Sequence, residues 1–240
     1  MKKIIENLEA YVRKEHVPRE YALDKFLDYL LEMFDYKYYH TGWEKHVREM
    51  NEKSPELMTA AIEWLELTST EIEKGGWCDT LGRLYEAMYQ SKGKASALGQ
   101  FYTPECLCDL MAKVTYKESD IPHISDCACG SGRTLLAAYN KYREGYYTGE
   151  DLDGMSVRMC ALNLMVHGAR GRAVCHDTLR SPVNFDWGYE INEVRYPFPT
   201  PYYSVRRISN TEPKEEITKP IQHTEKEDHK YKPGDQMSLF

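Results

Sequence analysis

Apolar residues recur at intervals of three and four along the first third of the chain, which is the spacing of a helix with one buried face. Two such stripes span residues 4–12 and 23–34. Ser54-Pro55 supplies an N-cap and a first-turn proline for a third helix, which is expected to end near Gly75-Gly76. A fourth helix is predicted over residues 80–92. The pattern therefore indicates an all-α N-terminal region.

From residue 121 onward, short apolar segments alternate with amphipathic stretches. The predicted strands and helices, in chain order, cover residues 121–125, 134–142, 146–149, 155–167 and 173–175. A β-α-β-α-β order is typical of a parallel sheet with right-handed crossovers. The sequence therefore predicts an α/β fold with a Rossmann-like parallel sheet, preceded by an all-α domain.

The sequence of the C-terminal segment predicts no further strands. Most of the 11 prolines lie there, and Pro197, Pro199 and Pro201 follow one another too closely for an interior strand. From Val205 onward large apolar residues are few and the charges balance, which is typical of a disordered tether. We expect the sheet to stop at its third strand, with a partner or residues 189–203 covering the exposed edge.

These patterns divide the chain into three parts. We expect a helical domain over residues 1–76, the α/β domain over residues 77–190, and a Pro/Tyr-rich segment with a flexible charged tail over residues 191–240.

Composition and charge indicate the class of protein and limit the partners that it can bind. The 240 residues are 42% hydrophobic and 29% charged, which are ordinary values for a globular protein. No apolar run reaches the ~18 residues of a membrane helix, and the charged N-terminus is unlike a signal peptide, so we expect a cytoplasmic protein without membrane contact. The 31 basic and 38 acidic residues give a net charge of −7, so contact with DNA requires a local basic patch or a partner.

The seven cysteines are an odd number in a chain without an export signal, which predicts reduced thiols rather than disulfides. Cys106 with Cys108 and Cys127 with Cys129 have C-x-C spacing, whereas zinc sites usually combine C-x₂₋₄-C pairs. The segment 151–154 resembles the start of a calcium loop but lacks its remaining ligands. We therefore expect buried small thiols and no metal site.

A glycine-rich loop over residues 126–132 lies between a predicted strand and a predicted helix, where a cofactor can approach the backbone. A P-loop requires Lys and then Ser or Thr after its last glycine, but Arg133 and Thr134 stand there. A dinucleotide fingerprint requires a third glycine where this chain has Leu135. The loop therefore favours an adenosine ligand without a pyrophosphate.

Three acidic residues, Asp126, Asp151 and Asp177, follow the three predicted strands. The carboxyl ends of parallel strands meet at one edge of a sheet, so we expect these side chains to line one crevice. Asp151 is placed to accept both hydrogen bonds of a ribose diol, and Asp177 to lie beside an adenine amino group. Each acid alone could cap a helix or close a turn, but the ordered set favours a ligand.

The chain resembles the adenine-N6 DNA methyltransferases, most closely the modification subunit of type I restriction systems. Four ordered blocks between residues 79 and 180 carry the resemblance, namely DTLGRLYE at 79–86, GQFYTP at 99–104, DCACGSG at 126–132, and GEDLD at 149–153 with Asn163-Leu164 and His167-Gly168 downstream. The second block is similar to the family element that closes over the methionine end of S-adenosylmethionine. The resemblance therefore implies this cofactor, a DNA substrate and a possible methyltransferase or specificity subunit as partner.

Position by position, the resemblance implies the residues of a cofactor site. Tyr102 and Thr103 are placed near the cofactor carboxylate, Gly130 and Gly132 against its backbone-facing side, and the last two acids on the ribose and the adenine. The implied set is Gln100, Phe101, Tyr102, Thr103, Pro104, Asp126, Gly130, Ser131, Gly132, Asp151 and Asp177.

The family's acceptor motif is absent from the sequence. That motif is Asn or Asp, two prolines and an aromatic residue at the end of the fourth strand, where it accepts the hydrogens of the adenine amine and stacks the flipped base. Asn192 with Tyr196 has the wrong spacing for a remnant of it. We expect little or no methylation by the chain alone. Two alternatives stay open: a partner subunit supplies the motif, or the chain is a non-catalytic regulator that has lost the cofactor.

The last five residues, Gln236-Met237-Ser238-Leu239-Phe240, resemble the pentapeptide that docks bacterial proteins onto the replicative sliding clamp. A glutamine amide suits backbone groups, and an adjacent Leu-Phe pair suits an apolar pocket. Because ordering a flexible tail costs free energy, we expect micromolar affinity. A chance apolar terminus is the alternative.

Overall fold

The computed structural model describes residues 1–38, 41–89, 102–115, 123–180, 185–193 and 203–209. Within these ranges the helices are α1 (Lys2–Lys14), α2 (Ala22–Met33), α3 (Trp43–Lys53), α4 (Pro55–Gly75), α5 (Thr80–Tyr89), α6 (Glu105–Val114), α7 (Arg133–Tyr139) and α8 (Gly154–Val166). The strands are β1 (His123–Asp126), β2 (Tyr146–Asp151), β3 (Arg170–Cys175), β4 (Trp187–Ile191) and β5 (Val205–Ser209).

The N-terminal helices pack around a shared apolar core. Leu8 of α1, Phe26 of α2 and Trp64 of α4 are each fully buried. Ser54 is the N-cap residue of α4 and is followed by a first-turn proline as predicted, although its side chain makes no capping hydrogen bond. The four predicted helices of this region are present, whereas α3 and α6 were not predicted because their apolar residues are few or face solvent.

One sheet of five strands forms the second half of the molecule, in the order β1-β2-β3-β4-β5. The predicted parallel pairing of β1 with β2 and of β2 with β3 is confirmed. Helix α8 packs on the sheet and is buried along nearly its whole length, which agrees with an apolar composition all round its surface.

The prediction that the sheet stops at its third strand is wrong. β4 pairs antiparallel with β3, and β5 pairs antiparallel with β4, so the sheet is mixed. The prediction of a tether from Val205 onward is likewise wrong for the residues of β5. Both strands are short, and their apolar and polar residues do not alternate, so the sequence shows no strand pattern there. Cross-strand contacts such as the Arg206–Glu190 ion pair stabilise them. The rest of the predicted tail, residues 210–240, lies outside the described residues.

Ion pairs and backbone contacts join the helical region to the sheet region. Arg158 of α8 pairs with Asp24 and Asp28 of α2, the latter at 2.6 Å. At the far edge of the sheet, the Val205 amide donates to the Phe34 carbonyl at 2.9 Å. The last strand of the sheet is therefore covered by the chain that follows α2.

His167 links the end of α8 to the residues before α5. Its Nε2 accepts a hydrogen bond from the Cys78 amide at 3.1 Å, and its Nδ1 lies 2.6 Å from the Asn163 carbonyl. Since an amide donates to Nε2, the proton of the neutral ring resides on Nδ1. Burial lowers the pKa of His167 to about 4, so the ring is neutral in the folded protein at neutral pH.

We expect the stability of the protein to depend on His167 below pH 7. The unfolded chain binds a proton at His167 as the pH falls through 6.5, while the folded chain does so only near pH 4. The contribution of neutral His167 to the free energy of unfolding is therefore fully present above the unfolded-state pKa of 6.5. About 3 kcal/mol of that free energy is lost as the pH falls from 6.5 to 4. Urea unfolding of wild type and His167→Gln across this range measures the difference. The exposed His16→Gln variant is the control, and equal pH slopes for wild type and His167→Gln would contradict the expectation.

Candidate functional site

The three predicted acids lie at one edge of the sheet. Asp126 and Asp151 are the last residues of β1 and β2, and Asp177 stands two residues beyond β3. The parallel register brings the strand ends together, since Asp126 lies opposite Gly149 and Asp151 lies opposite Cys175. We call this side of the sheet, defined by the three carboxylates, the acidic edge.

The glycine loop closes over the end of β2. The Cys129 amide donates to the Glu150 carbonyl at 2.9 Å, and the Gly130 amide donates to Asp151 Oδ2 at 2.9 Å. Gly130 and Gly132 have φ values of +53° and +91°, a conformation that favours glycine. A Cβ on Gly132 would lie 3.0 Å from the Cys160 sulfur, so this glycine lets α7 begin against α8.

Each acid also has local hydrogen bonds. Asp126 accepts from the Ala128 amide at 3.0 Å and from the Thr134 hydroxyl. Asp151 accepts from the Asp153 amide at 2.9 Å as well as from the loop. The N-cap of α8 is Asp153, which accepts from the Ser156 amide at 3.0 Å, so Asp151 is not a helix cap. A carboxylate has about four acceptor sites, so these bonds leave Asp151 with further capacity.

Asp177 lies in a more open position than the other two acids. Its Oδ1 accepts from the Leu179 amide at 3.1 Å, and its Oδ2 pairs with Arg180 at 3.2 Å. The Arg180 side chain is 87% exposed, so this ion pair contributes little to stability.

Two exposed leucines accompany the acids, and sequence reasoning missed them. Leu152 directly follows Asp151 and is 71% exposed, while Leu179 stands two residues after Asp177 and is 96% exposed. Apolar side chains beside a few polar groups are typical of small-molecule sites. Their positions in the sequence, next to the predicted acids, were the signal that could have identified them.

The segment that the resemblance placed over the cofactor lies against the glycine loop. A Cβ on Gly130 would come within 3.0 Å of the Tyr102 ring. The Tyr102 hydroxyl is buried beside Ser156, and burial raises its pKa. Thr103 follows, and Pro104 is the N-cap residue of α6. Gln100 and Phe101 lie outside the described residues.

A fully buried carboxylate supports the loop from below. Asp79 accepts hydrogen bonds from the Gly82 amide at 2.7 Å, the Ser131 hydroxyl at 2.6 Å, Arg133 Nε at 2.5 Å and Asn163 Nδ2 at 2.7 Å. Burial raises the pKa of Asp79, and the Arg133 guanidinium and the other donors oppose that shift. Sequence reasoning found no role for this cluster because three of its donors are more than 50 residues away in the chain.

Asn192 does not reach the acidic edge. β4 runs antiparallel to β3, so the carboxyl end of β4 lies beside the amino end of β3, on the side of the sheet away from the three acids. The Asn192 amide donates to the carbonyls of Met165 at 3.0 Å and Ala169 at 2.9 Å, and its oxygen accepts from the Ser204 amide at 3.0 Å. With φ of +52° and 2% exposure, Asn192 is a structural residue rather than a remnant of the acceptor motif. Tyr196 lies outside the described residues.

Neither a cluster of metal-ligating side chains nor a membrane-spanning helix is found in the part of the chain that the structure describes. No three His, Cys, Asp or Glu side chains there come together as metal ligands. The seven cysteines are free thiols, of which Cys106 and Cys127 are exposed and the other five are buried. None of the described helices has the length and apolar composition needed to cross a bilayer.

Two comparisons with known proteins give a match. The sequence profile of the N-6 DNA Methylase family matches residues 77–231. The type I restriction enzyme MjaIX methylase subunit of Methanocaldococcus jannaschii is 30% identical over 147 residues, which are 57% of this chain and 26% of that protein. The chain thus spans about a quarter of the length of this relative. No solved structure gives a significant match. Since the family profile covers more than half of the chain, the protein belongs to the N-6 DNA methylase family.

Proposed function

We propose that the protein binds S-adenosylmethionine at the acidic edge as an adenine-N6 DNA methyltransferase-like protein. The observation that carries the proposal is that Asp126, Asp151 and Asp177 follow three adjacent parallel strands at their carboxyl ends, where the glycine loop donates a hydrogen bond to Asp151. Ligands of open α/β sheets bind outside the carboxyl ends of the strands, next to a loop that lets them approach the backbone.

The residues at this edge suit the separate parts of the cofactor. Asp151 accepts hydrogen bonds from the ribose hydroxyls, and Asp177 accepts one from the adenine amino group. The exposed Leu152 and Leu179 offer apolar contacts for the adenine ring. Tyr102, whose ring packs on Gly130, lies at the end of the site where the methionine carboxylate would bind.

The glycine loop completes the proposed site. Gly130, Ser131 and Gly132 lie against the cofactor, and Asp126 holds the loop closed through the Ala128 amide. Thr103 and Pro104 continue from Tyr102 into α6. When bound, the cofactor supplies the methyl group as a sulfonium, and these residues hold and orient it.

We propose that methyl transfer to DNA by the chain alone is weak or absent. Loss of one preorganised acceptor typically costs 10²–10³ in kcat. The sequence lacks the acceptor motif of its family, and Asn192 lies away from the acidic edge. Asn184, which precedes β4 in sequence, lies outside the described residues.

Substitution of the ribose acceptor tests cofactor binding. We expect Asp151→Asn to weaken the affinity for S-adenosylmethionine by about tenfold to a hundredfold, because one charge-assisted acceptor is lost. Isothermal titration calorimetry on the full chain measures it. The matched control is Glu150→Gln on the same strand, since Glu150 faces the other side of the sheet and contacts His176. Absence of heat and of a thermal shift with the wild type would sink the cofactor proposal and favour a regulator without cofactor.

A second candidate function is an active methyltransferase completed by a partner subunit, and one surface favours it. Helix α6 is held from within by the Arg83–Glu105 and Trp77–Asp109 contacts, at 2.7 Å and 2.8 Å. Its outer face carries four exposed apolar side chains at helical spacing: Leu107, Leu110, Met111 and Val114. Exposed apolar stripes of this kind mark interaction sites.

The neighbouring strand edge supports the same conclusion. Helix α6 packs on α7, which in turn packs on β1. No strand pairs with the outer edge of β1 in the described part of the chain. A strand added there in parallel would end beside the acidic edge, where an acceptor residue is needed. We propose that a methyltransferase or specificity subunit docks on this surface.

Complementation tests the partner. We expect wild-type protein alone to transfer little labelled methyl group to adenine-containing DNA, and more than about tenfold above the sum of the separate activities once an extract of the source cells is added. Leu110→Asp should abolish the gain, because a charge within an apolar interface is costly. Ile62→Asp on α4, also about half exposed, is the matched control and should keep it. A wild type that gains nothing would contradict the partner proposal.

We further propose that the C-terminal peptide binds a bacterial sliding clamp, so that the protein and the clamp act together on DNA in the cytoplasm. The peptide lies outside the described residues, and the support is its sequence. We expect micromolar binding of purified clamp that is lost when Leu239 and Phe240 are deleted, because these side chains would fill the apolar pocket. Surface plasmon resonance measures it, with Ser238→Ala as the control. Equal binding by the full and shortened chains would end the proposal.

A further inference from the structure

Arg133 is held rigidly on one side by two acids. It is the first residue of α7, directly after the glycine loop, and is 6% exposed. Its Nε lies 2.5 Å from Asp79 Oδ2, and its Nη2 lies 2.9 Å from Glu86 Oε2. A buried guanidinium is stable only with such partners, so Asp79 and Glu86 fix its plane.

The remaining side of the Arg133 guanidinium contacts the segment over the cofactor site. Its central carbon lies 5.1 Å from the centroid of the Tyr102 ring, which is within cation–π range. Its Nη1 donates to the Thr103 carbonyl at 3.4 Å, a long hydrogen bond. Arg133 is thus bound tightly to the body of the protein and loosely to residues 102–103.

The Tyr102 ring depends on these neighbours for its position. It packs on Gly130 below and meets the Tyr85 ring edge-on, with 5.6 Å between centroids. Its buried hydroxyl interacts with Ser156. Aromatic and cation–π contacts with Tyr85 and Arg133 add to this in holding the ring against the glycine loop.

We propose that Arg133 is a positioning residue that holds Tyr102 and Thr103 against the glycine loop and so sets cofactor affinity. This inference rests on the proposed binding of S-adenosylmethionine. Arg133 contacts Asp79, Glu86, Tyr102 and Thr103, and it acts on the cofactor site through the last two. The role requires the planar fork of arginine, because a lysine ammonium cannot meet Asp79, Glu86 and the ring face together.

A purely structural role for Arg133 makes a different prediction. In that case Arg133 only neutralises the buried Asp79 carboxylate, and removing both charges restores the protein. The double variant Asp79→Asn/Arg133→Met removes the charge pair without leaving an unpaired buried charge. Under our proposal it recovers thermal stability but not the position of residues 102–103.

Hydrogen exchange without any cofactor tests the position of the segment. We expect the double variant and Arg133→Lys to exchange the amides of residues 102–108 at least about tenfold faster than wild type. Tyr102→Leu should do the same, whereas Tyr102→Phe keeps the ring and the protection. The matched control is Arg143→Lys, since Arg143 stacks on Tyr139 at 4.7 Å, away from this segment.

Calorimetric titration with S-adenosylmethionine completes the test. We expect Arg133→Lys and the double variant to bind about tenfold more weakly, and Arg143→Lys to bind like wild type. Unchanged exchange at residues 102–108 in both Arg133 variants would overturn the proposal. A wild type that binds no cofactor would defeat the proposed function, while hydrogen exchange would still decide whether Arg133 positions the segment.

Discussion

The buried carboxylate of Asp79 is the interaction on which the rest of the site depends. Its four donors come from the first turn of α5, the glycine loop, the start of α7 and the last turn of α8. A buried carboxylate without partners is strongly destabilising, so these segments have to assemble together. A Cβ on Gly82 would lie 2.0 Å from Asp79 Oδ2, which shows how closely α5 approaches the cluster.

This cluster links the support of the loop to the segment above it. The Asn163 amide donates both to Asp79 and to the Ser131 carbonyl, at 2.7 Å and 2.9 Å, and so fixes the loop backbone. Arg133 carries the same support to Tyr102. The loop conformation, the start of α7 and the placement of the tyrosine ring are therefore one cooperative unit rather than three separate features.

The direction of β4 keeps the residue that follows it away from the acidic edge. A strand delivers the residue that follows it to the edge at which it ends, and an antiparallel β4 ends away from the acidic edge. Asn192 consequently serves the packing of α8 and the chain before β5 through buried hydrogen bonds. The chain keeps the part of the fold in which the glycine loop and the three acids lie at the carboxyl ends of parallel strands.

The sequence by itself determined the strong periodic elements and the order of the acids. The helices α1, α2, α4 and α8, the three parallel strands and the placement of Asp126, Asp151 and Asp177 at or just beyond the carboxyl ends of those strands follow from local spacing and from the geometry of parallel sheets. Tertiary structure alone decided the antiparallel strands β4 and β5, the partners of Asp79 and the structural role of Asn192. These features rest on contacts between residues far apart in the chain, and a buried polar group selects its partners by where the fold places them, which no local pattern encodes.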